Sequence, residues 1–351
     1  MAQHMIVKPE KLITTAVGML EQELIVPNLF QKESVDAYKG AQDDTINVKV
    51  EGVLPFREYG WRNDRSAPIV FDELAERKIA VSFGGNVYNA VRVTDEQYDF
   101  DLASWAQLLR PQVKAVARGL SRRAVRTMVD QAYEVTIGNA QVNLRGALIE
   151  ARRVLNKFQV PGEMRTLLVG SDFETALLSD DKLNLAQNVG DSAAESALRT
   201  ATLGQRYGFN IVVDQTIPSD VAYAMVGSAF IFASGAPSVP QSVPFGATQS
   251  FEGVALRWIR DYDTATMQDR SVVNTYAGFR EVKDLLVGWD ETNQKEVIST
   301  SEHLVRAIKL TLDGSSDYPA ATSDLAVITG ISDASVWTPT ARALETDPAN
   351  A

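Results

Sequence analysis

A long polar segment between two strand-like runs constrains the fold of this chain more than any other feature of its sequence. The runs TINVKVEGVL and KIAVSF alternate apolar and polar residues, as half-buried strands do. The stretch FREYGWRNDRSAP between them carries the aromatic residues Phe56, Tyr59 and Trp61 and the charged residues Arg57, Glu58, Arg62, Asp64 and Arg65. Because a tight hairpin needs only about two to five linking residues, the sequence predicts an extended loop that reaches away from the body of the protein.

Charge and cysteine content exclude several functional classes. The 351 residues carry a formal net charge of -11, whereas proteins that neutralise nucleic-acid phosphates usually have a basic balance. Cysteine is absent, which excludes disulfides, thiolate metal sites and cysteine nucleophiles. The sequence also lacks a run of about 20 apolar residues that could span a bilayer. We therefore expect a soluble protein without sequence-specific nucleic-acid binding.

Residues suited to catalysis are sparse. The chain has two histidines, His4 and His303, and it contains no nucleophile-elbow, phosphate-loop or HExxH motif. Carboxylates that could hold a cation occur in three places, at Asp43 and Asp44, at Asp180 and Asp181, and in DYDTATMQD at Asp261, Asp263 and Asp269. We interpret all three as solvated polar loops or turns and predict no catalytic, metal-binding or cofactor-binding residue. A metal-dependent hydrolase stays open as the alternative, as does a carbohydrate-binding or decoration module of a virion, suggested by the strand-rich C-terminal part.

A long amphipathic helix is predicted from Asp99 to Glu134, interrupted only by Pro111 and Gly119. A capping box of Thr94 and Gln97 precedes it. Its apolar stripe comprises Trp105, Leu109, Val113, Val116 and Leu120, and on roughly the opposite face a basic ridge comprises Lys114, Arg118, Arg122 and Arg126. The ridge is either a solvated face or the contact for an acidic partner or for packaged nucleic acid.

The rest of the chain mixes helical and strand-like segments, which predicts an α+β protein. Helical spacing covers residues 11–38, with a bend at Pro27, and a second amphipathic helix is predicted from Leu144 to Phe158. Two long strands are predicted at Val254–Tyr262 and at Ser271–Val282. An alternating run from Leu304 to Leu312 follows, and His303, at the start of this strand-like stretch, is expected to cover a sheet face.

The order of these segments resembles the major capsid (coat) proteins of tailed bacteriophages with the Hong Kong 97-type fold. The resemblance covers about residues 11–282 and is carried by YKGAQDDTINVKV, VTDEQYDFDLASW, VPGEMRTLLVGSDF, LGQRYGFNIVVDQ and LRWIRDYD with DRSVVNTYAGFREV. It implies an α+β fold with the following parts: an N-terminal arm (1–45), an extended loop of two strands (46–83), a peripheral domain with a spine helix (84–143), an axial domain (144–251), return strands of the peripheral domain (252–284) and a C-terminal extension (285–351).

The resemblance also implies a function and partners. The chain would be a non-enzymatic subunit that assembles through hexamers and pentamers into an icosahedral shell around double-stranded DNA. The extended loop would then lie over a neighbouring subunit, which makes Phe56, Arg57, Tyr59, Trp61, Arg62 and Arg65 the expected interface residues. A portal protein at one vertex and non-specific contact with packaged DNA are further expectations. We also expect a separate scaffolding protein, because the arm helix begins near Lys11 and leaves no room for a long scaffolding segment before it.

Overall fold

The computed structural model describes residues 24–34, 45–50, 52–57, 68–72, 77–100, 105–180, 204–243, 245–251, 254–290 and 295–332. Within these ranges no helix is long and apolar enough to cross a membrane. The helices are α1 (Val26–Leu29), α2 (Asp95–Phe100), α3 (Trp105–Val129), α4 (Leu144–Lys157), α5 (Ser171–Ser179) and α6 (Asp324–Thr329).

The strands outnumber the helices among the described residues. They are β1 (Gln31–Ser34), β2 (Thr45–Val50), β3 (Arg77–Ser82), β4 (Asn86–Thr94), β5 (Thr136–Ile137), β6 (Arg165–Val169), β7 (Gln205–Arg206), β8 (Phe209–Val213), β9 (Val221–Val226), β10 (Phe230–Gly235), β11 (Phe245–Phe251), β12 (Val254–Asp263), β13 (Gln268–Glu281), β14 (Val287–Asp290), β15 (Lys295–Ile298) and β16 (Ala307–Thr311). Strands β2 and β3 pair with each other, and β14 and β15 form an antiparallel hairpin.

The chain divides into two compact units. The first comprises Met1–Val48, Ile79–Asp130 and Phe230–Glu281. Its sheet has the order β1-β10-β13-β12-β11, and β4 pairs antiparallel with Gln268–Tyr276 of β13. The 14-residue β13 is the central strand, because it pairs with β10, β12 and β4 along its length.

Helix α3 packs on the sheet of the first unit through the predicted apolar stripe. Leu109, Val113, Val116 and Leu120 on this stripe are buried. At about 1.5 Å per residue the 25-residue helix is about 37 Å long. It runs through Pro111 and Gly119 without a break. A Cβ atom at Gly119 would lie 2.8 Å from Cγ1 of Val87, so the glycine lets the helix approach β4 closely.

A buried polar network fixes α3 to the sheet. The side chain of Gln112 donates from Nε2 to the backbone oxygen of Ser271 at 3.1 Å and accepts at Oε1 from the Ser271 hydroxyl at 2.9 Å. The same hydroxyl accepts from Nε1 of Trp258 at 2.9 Å. These groups are buried and have lost their hydrogen bonds to water. Each hydrogen bond in the network replaces one of those lost contacts, so no buried polar atom of the network is left without a partner.

The second unit comprises Lys49–Lys78, Gln131–Ala229 and Val282–Ala351. Its mixed sheet has the order β5-β16-β9-β6-β8-β7, in which β16 is parallel to β5 and antiparallel to β9. Helix α4 contributes Ala147, Leu148, Ala151, Val154 and Leu155 to the core, which continues through buried residues of β6, β9 and β16. The alternating run predicted from Leu304 to Leu312 therefore supplies an inner strand of this sheet.

Several predicted elements are confirmed with small shifts. The capping box forms, since Thr94 and Gln97 exchange hydrogen bonds of 3.4 Å between their backbone N–H groups and side-chain oxygens. The helix predicted from Leu144 is α4, and the two long strands are β12 and β13. Alternation along β4 is also confirmed, because Val87, Asn89, Val91 and Val93 are less exposed than the residues between them.

Two predictions about helix bounds were wrong. The helix expected to reach Glu134 ends at Val129, and seven residues later Thr136 already exchanges backbone hydrogen bonds of 2.8 Å with Asp317, which a continuing helix would not allow. The helix expected to continue past Pro27 is a single turn, followed by β1, which pairs in parallel with β10. Residues 1–23 and 35–44 of the predicted arm lie outside the described ranges.

Candidate interaction surface

The two limbs of the extended segment are tied together by an ion pair. Arg57 donates from Nη2 to Oδ1 of Asp72 at 2.7 Å and from Nε to Oδ2 at 3.1 Å. The hydrogen bond from Arg57 lowers the pKa of the Asp72 carboxyl below its ordinary value. Both side chains are at the surface, so the pair sets the geometry of the limbs more than it stabilises the fold. Arg57, predicted as an interface residue, is thus engaged within its own chain.

Phe56 lies against the β14–β15 hairpin, which was not predicted. Its ring stacks on Trp289 with centroids 5.7 Å apart and planes inclined by 9°. Its backbone N–H donates to Oε2 of Glu296 at 2.6 Å. Trp289 and Glu296 are partners in the hairpin register, so one side of the hairpin holds both the ring and the backbone of Phe56. The other predicted loop residues, Tyr59, Trp61, Arg62 and Arg65, lie outside the described ranges.

Large apolar side chains are exposed around this contact. Phe56 is 52% exposed and Trp289 42%, although the two rings cover each other. The remaining exposed apolar residues of the two limbs are Val53, Leu54, Ile69, Val70 and Phe71. Scattered apolar residues are normal at a protein surface, but Phe56, Ile69, Val70 and Trp289 line one groove, and a group of this kind is typical of an interaction site.

The basic ridge lies on the exposed face of α3. Lys114, Arg118, Arg122 and Arg126 are all exposed, as the helical spacing predicts. Arg126 forms an ion pair of 3.3 Å with Asp130 at the end of the helix, and both side chains are largely in solvent. The structure therefore brings the four cations into one exposed row along α3.

The carboxylates considered for metal binding are paired with arginines. Asp261 and Asp263 lie 2.7 and 3.7 Å from Arg270, and Asp269 lies 2.6 Å from Arg260. Asp263 also accepts a hydrogen bond from the backbone of Ala265, which lowers the pKa of its carboxyl. Among the described residues no group of three or more His, Asp or Glu side chains is arranged to hold a metal ion. Asp180 follows α5, and Asp181 lies outside the described ranges.

His303 joins three segments of the second unit and does not lie in a strand, so the expectation that it covers a sheet face was wrong. Its Nδ1 lies 2.9 Å from Oε1 of Glu134, and its Nε2 lies 3.1 Å from Oδ1 of Asp324 at the start of α6. Burial alone would raise the pKa of Asp324, but hydrogen bonds from Thr300 and Ser301 outweigh it and hold that pKa well below its ordinary value. No local sequence pattern predicts the cluster of His303, Glu134 and Asp324, because these residues are far apart in the chain.

A comparison with protein-family models decides the identity of the fold. The model described as phage capsid protein matches residues 88–284, which is more than half of the chain. The chain belongs to the phage capsid protein family. Its matched region begins in β4 and ends shortly after β13, so the capsid family model covers neither the extended segment nor the β14–β15 hairpin.

Solved structures show the same fold at low sequence identity. A chain of Mycobacterium phage Che8 aligns with a TM-score of 0.58 and 16% identity, over 83% of this chain and 92% of that chain. A chain of the mature capsid of bacteriophage PhiM1 aligns with a TM-score of 0.54 and 10% identity, over 82% of this chain and 86% of that chain. A chain of the capsid of cyanophage P-SCSP1u aligns with a TM-score of 0.55 and 9% identity, over 82% of this chain and 87% of that chain. A search of curated proteins found no match. The α+β Hong Kong 97-type fold class expected from the sequence is confirmed.

Proposed function

We propose that this capsid protein is the major subunit of an icosahedral shell, that it assembles through hexamers and pentamers, and that the shell encloses a double-stranded DNA genome. The observation that carries the proposal is the match of residues 88–284 to the phage capsid family. Support comes from the folds of the PhiM1 and P-SCSP1u chains, whose structures are those of assembled capsids. The six parts expected from the sequence, from the arm (1–45) to the C-terminal extension (285–351), belong to this proposal.

In the proposed shell the extended loop contacts a neighbouring subunit. Its interface residues are Phe56, Arg57, Tyr59, Trp61, Arg62 and Arg65. Aromatic side chains bury a large rigid area, and central ones contribute about 2 kcal/mol or more to an interface. Exposed ion pairs add only about 0–1 kcal/mol each and serve mainly to set register. Several weak contacts per subunit suit a closed shell, because they multiply in the assembly while each one stays reversible.

The basic ridge of α3 is proposed to contact either acidic residues of a neighbouring subunit or phosphates of packaged DNA. Lys114, Arg118, Arg122 and Arg126 form a local row of positive charge in a chain whose net charge is -11. A local row of this kind binds phosphates without sequence specificity, since it faces the backbone and not the bases. The contact would therefore depend strongly on salt.

The proposed role is structural and not enzymatic. Membership in a capsid family supports this, and so does the pairing of Asp261, Asp263 and Asp269 with arginines, which leaves those carboxylates unsuited to a hydrolytic centre. The protein would be part of the virion, assembled in the host cytoplasm. Its proposed partners are further copies of itself, a separate scaffolding protein, a portal protein at one vertex and the packaged DNA.

Native particle mass tests the proposal. The full chain is expressed alone and together with a scaffolding protein, and mass photometry measures the particles. We expect megadalton shells, or hexamers and pentamers that convert to shells. A single small oligomer under all of these conditions would overturn the proposal.

A further inference from the structure

Three arginines of the second unit lie where the turn between β7 and β8 meets helix α4. Among the described residues, Arg152, Arg165 and Arg206 donate hydrogen bonds only to backbone oxygens, and none of the three forms an ion pair. Guanidinium groups stay protonated in proteins, so this arginine cluster carries three positive charges within a chain whose net charge is -11. Cations that are gathered without carboxylates favour the binding of an anion.

The β7–β8 turn places Arg206 on the side of the sheet that α4 covers. Tyr207 and Gly208 have φ angles of 50° and 84°, which are typical of the two-residue turn of a tight hairpin. Arg206 and Phe209 are partners across this turn, so their side chains lie on the same face of the sheet. Phe209 is buried in the core to which α4 contributes. Arg206 therefore lies on that same side, next to the turn.

Arg152 reaches the same turn from α4. Its Nη1 donates to the backbone oxygen of Tyr207 at 3.1 Å. A Cβ atom at Gly208 would lie 3.2 Å from this Nη1, so the glycine leaves room for the guanidinium. Arg165 is buried at the start of β6, and its pKa is lowered from the ordinary value by burial and, to a smaller extent, by the charge of Arg152. Arg152 thus interacts both with the turn that follows Arg206 and with Arg165.

Arg206 has two donors that no group in the described part of the chain accepts. Its Nη1 donates to the backbone oxygen of Gln205 at 3.2 Å, whereas its Nε and Nη2 are buried and have no hydrogen-bond partner. In Arg57, Arg153 and Arg306 the same two nitrogens bind both oxygens of one carboxylate. A buried donor without an acceptor destabilises the fold, and a bound oxyanion would satisfy both donors at once.

We propose that the arginine cluster binds a phosphate group, with two phosphate oxygens accepting from Nε and Nη2 of Arg206 and with Arg152 and Arg165 balancing the charge. A phosphate monoester carries about 1.5–2 negative charges at neutral pH and three acceptor oxygens, whereas a carboxylate carries one charge and two oxygens. The three cations therefore match phosphate better. The bound group would link the β7–β8 turn to α4 in the free subunit, so this site is independent of the capsid function proposed above.

Isothermal titration calorimetry of the free subunit with inorganic phosphate tests the site. Chloride keeps the ionic strength constant, and we expect a dissociation constant of about 1 mM or lower. Arg206→Lys keeps the positive charge but lacks the planar pair of donors, so it should bind phosphate at least about tenfold more weakly. Arg110→Lys makes the same change at an exposed position of α3 and should bind as the wild type does. Equal affinities of Arg206→Lys and the wild type would overturn the proposal.

Two further probes identify the class of ligand. Adenosine monophosphate that binds more tightly than inorganic phosphate, and loses that affinity in Arg206→Lys, would identify the phosphate as that of a nucleotide monoester. Inorganic phosphate that binds at least as tightly would identify a free ion, and both results support a phosphate site. Acetate that binds as tightly as phosphate would instead indicate a carboxylate site, for example for an acidic side chain of another protein, and would overturn the proposal.

Hydrogen–deuterium exchange locates the bound phosphate in the wild-type protein, without any substitution. Phosphate, but not chloride, should slow exchange at the backbone amides of Tyr207, Gly208 and Phe209 by at least about threefold, because the turn is then held against α4. Slower exchange only in other segments, or no change in exchange, would overturn the proposal. Either result leaves the capsid function intact, because the measurement uses the free subunit.

Discussion

Phe56 and Trp289 stack face to face, with ring centroids 5.7 Å apart and planes inclined by only 9°. The contact joins the start of the extended loop to a C-terminal hairpin, and the neighbouring backbone hydrogen bond spans 240 residues of sequence. Loops of this length are commonly free to sample many positions. Here the C-terminal hairpin holds Phe56, at the start of the proposed extended loop, within the same chain.

A double-mutant cycle measures the strength of this contact. Phe56→Ala, Trp289→Ala and the double variant are compared with the wild type by urea unfolding of the free subunit. Aromatic pairs contribute about 0.5–1.5 kcal/mol beyond their buried area, so we expect a coupling free energy in that range. Strictly additive changes in the free energy of unfolding would show that the two rings do not stabilise each other in solution.

The tip of the extended loop is expected to act between subunits and not within one. Trp61→Ala combined with Arg62→Ala should leave the melting temperature of the free subunit nearly unchanged while shell yield collapses. Differential scanning fluorimetry and particle counting measure the two effects, and Val327→Ala at another exposed position serves as control. A large loss of melting temperature would place Trp61 in the core of its own subunit and contradict the proposed role.

The basic ridge is expected to act through electrostatics. The double reversal Arg118→Glu and Arg122→Glu lies on an exposed face, so the free energy of unfolding should change by no more than about 0.5 kcal/mol. Because such charges are screened over about 8 Å at physiological salt, the variant should change the salt dependence of assembly or of DNA retention. Lys157→Glu, on an exposed part of α4, makes a matched single reversal outside the ridge. If assembly and DNA retention respond equally weakly to both variants, the ridge is only solvated.

The stability of the free subunit should fall in acid through Asp324. The pKa of this carboxyl is lower in the folded chain than in the unfolded one, where it is about 3.9. Its contribution is therefore complete above the unfolded value and is lost as pH falls through the range below it. The wild type should exceed Asp324→Asn in urea midpoint at pH 6 and lose that advantage toward pH 2. A constant difference between the two proteins across this range would refute the assignment.

Local pattern predicted most elements of the fold. The period-two alternation of Val87, Asn89, Val91 and Val93 gave β4, and the helical stripe from Leu109 to Leu120 gave the buried face of α3. In both cases the pattern of apolar residues lies within one strand or one helix, so the element can be predicted without information about the rest of the fold. The exposed basic ridge followed from the same spacing.

Contacts between distant parts of the chain could not be predicted in this way. The parallel pairing of β1 with β10 joins segments whose local sequences favour helix and strand respectively. The packing of Phe56 on Trp289 and the contacts of His303 with Glu134 and Asp324 also depend on tertiary structure alone. The extended loop thus stays a prediction from its composition, while the hairpin that contacts Phe56 was found only in the structure.

Electron cryomicroscopy of particles assembled from the full chain tests the central claim most directly. The account predicts closed icosahedral shells in which this fold repeats in hexamers and pentamers, with the extended loop of one copy lying over the next. A well-defined particle that is not a closed shell, or a shell in which residues 52–72 contact only their own chain, would contradict it.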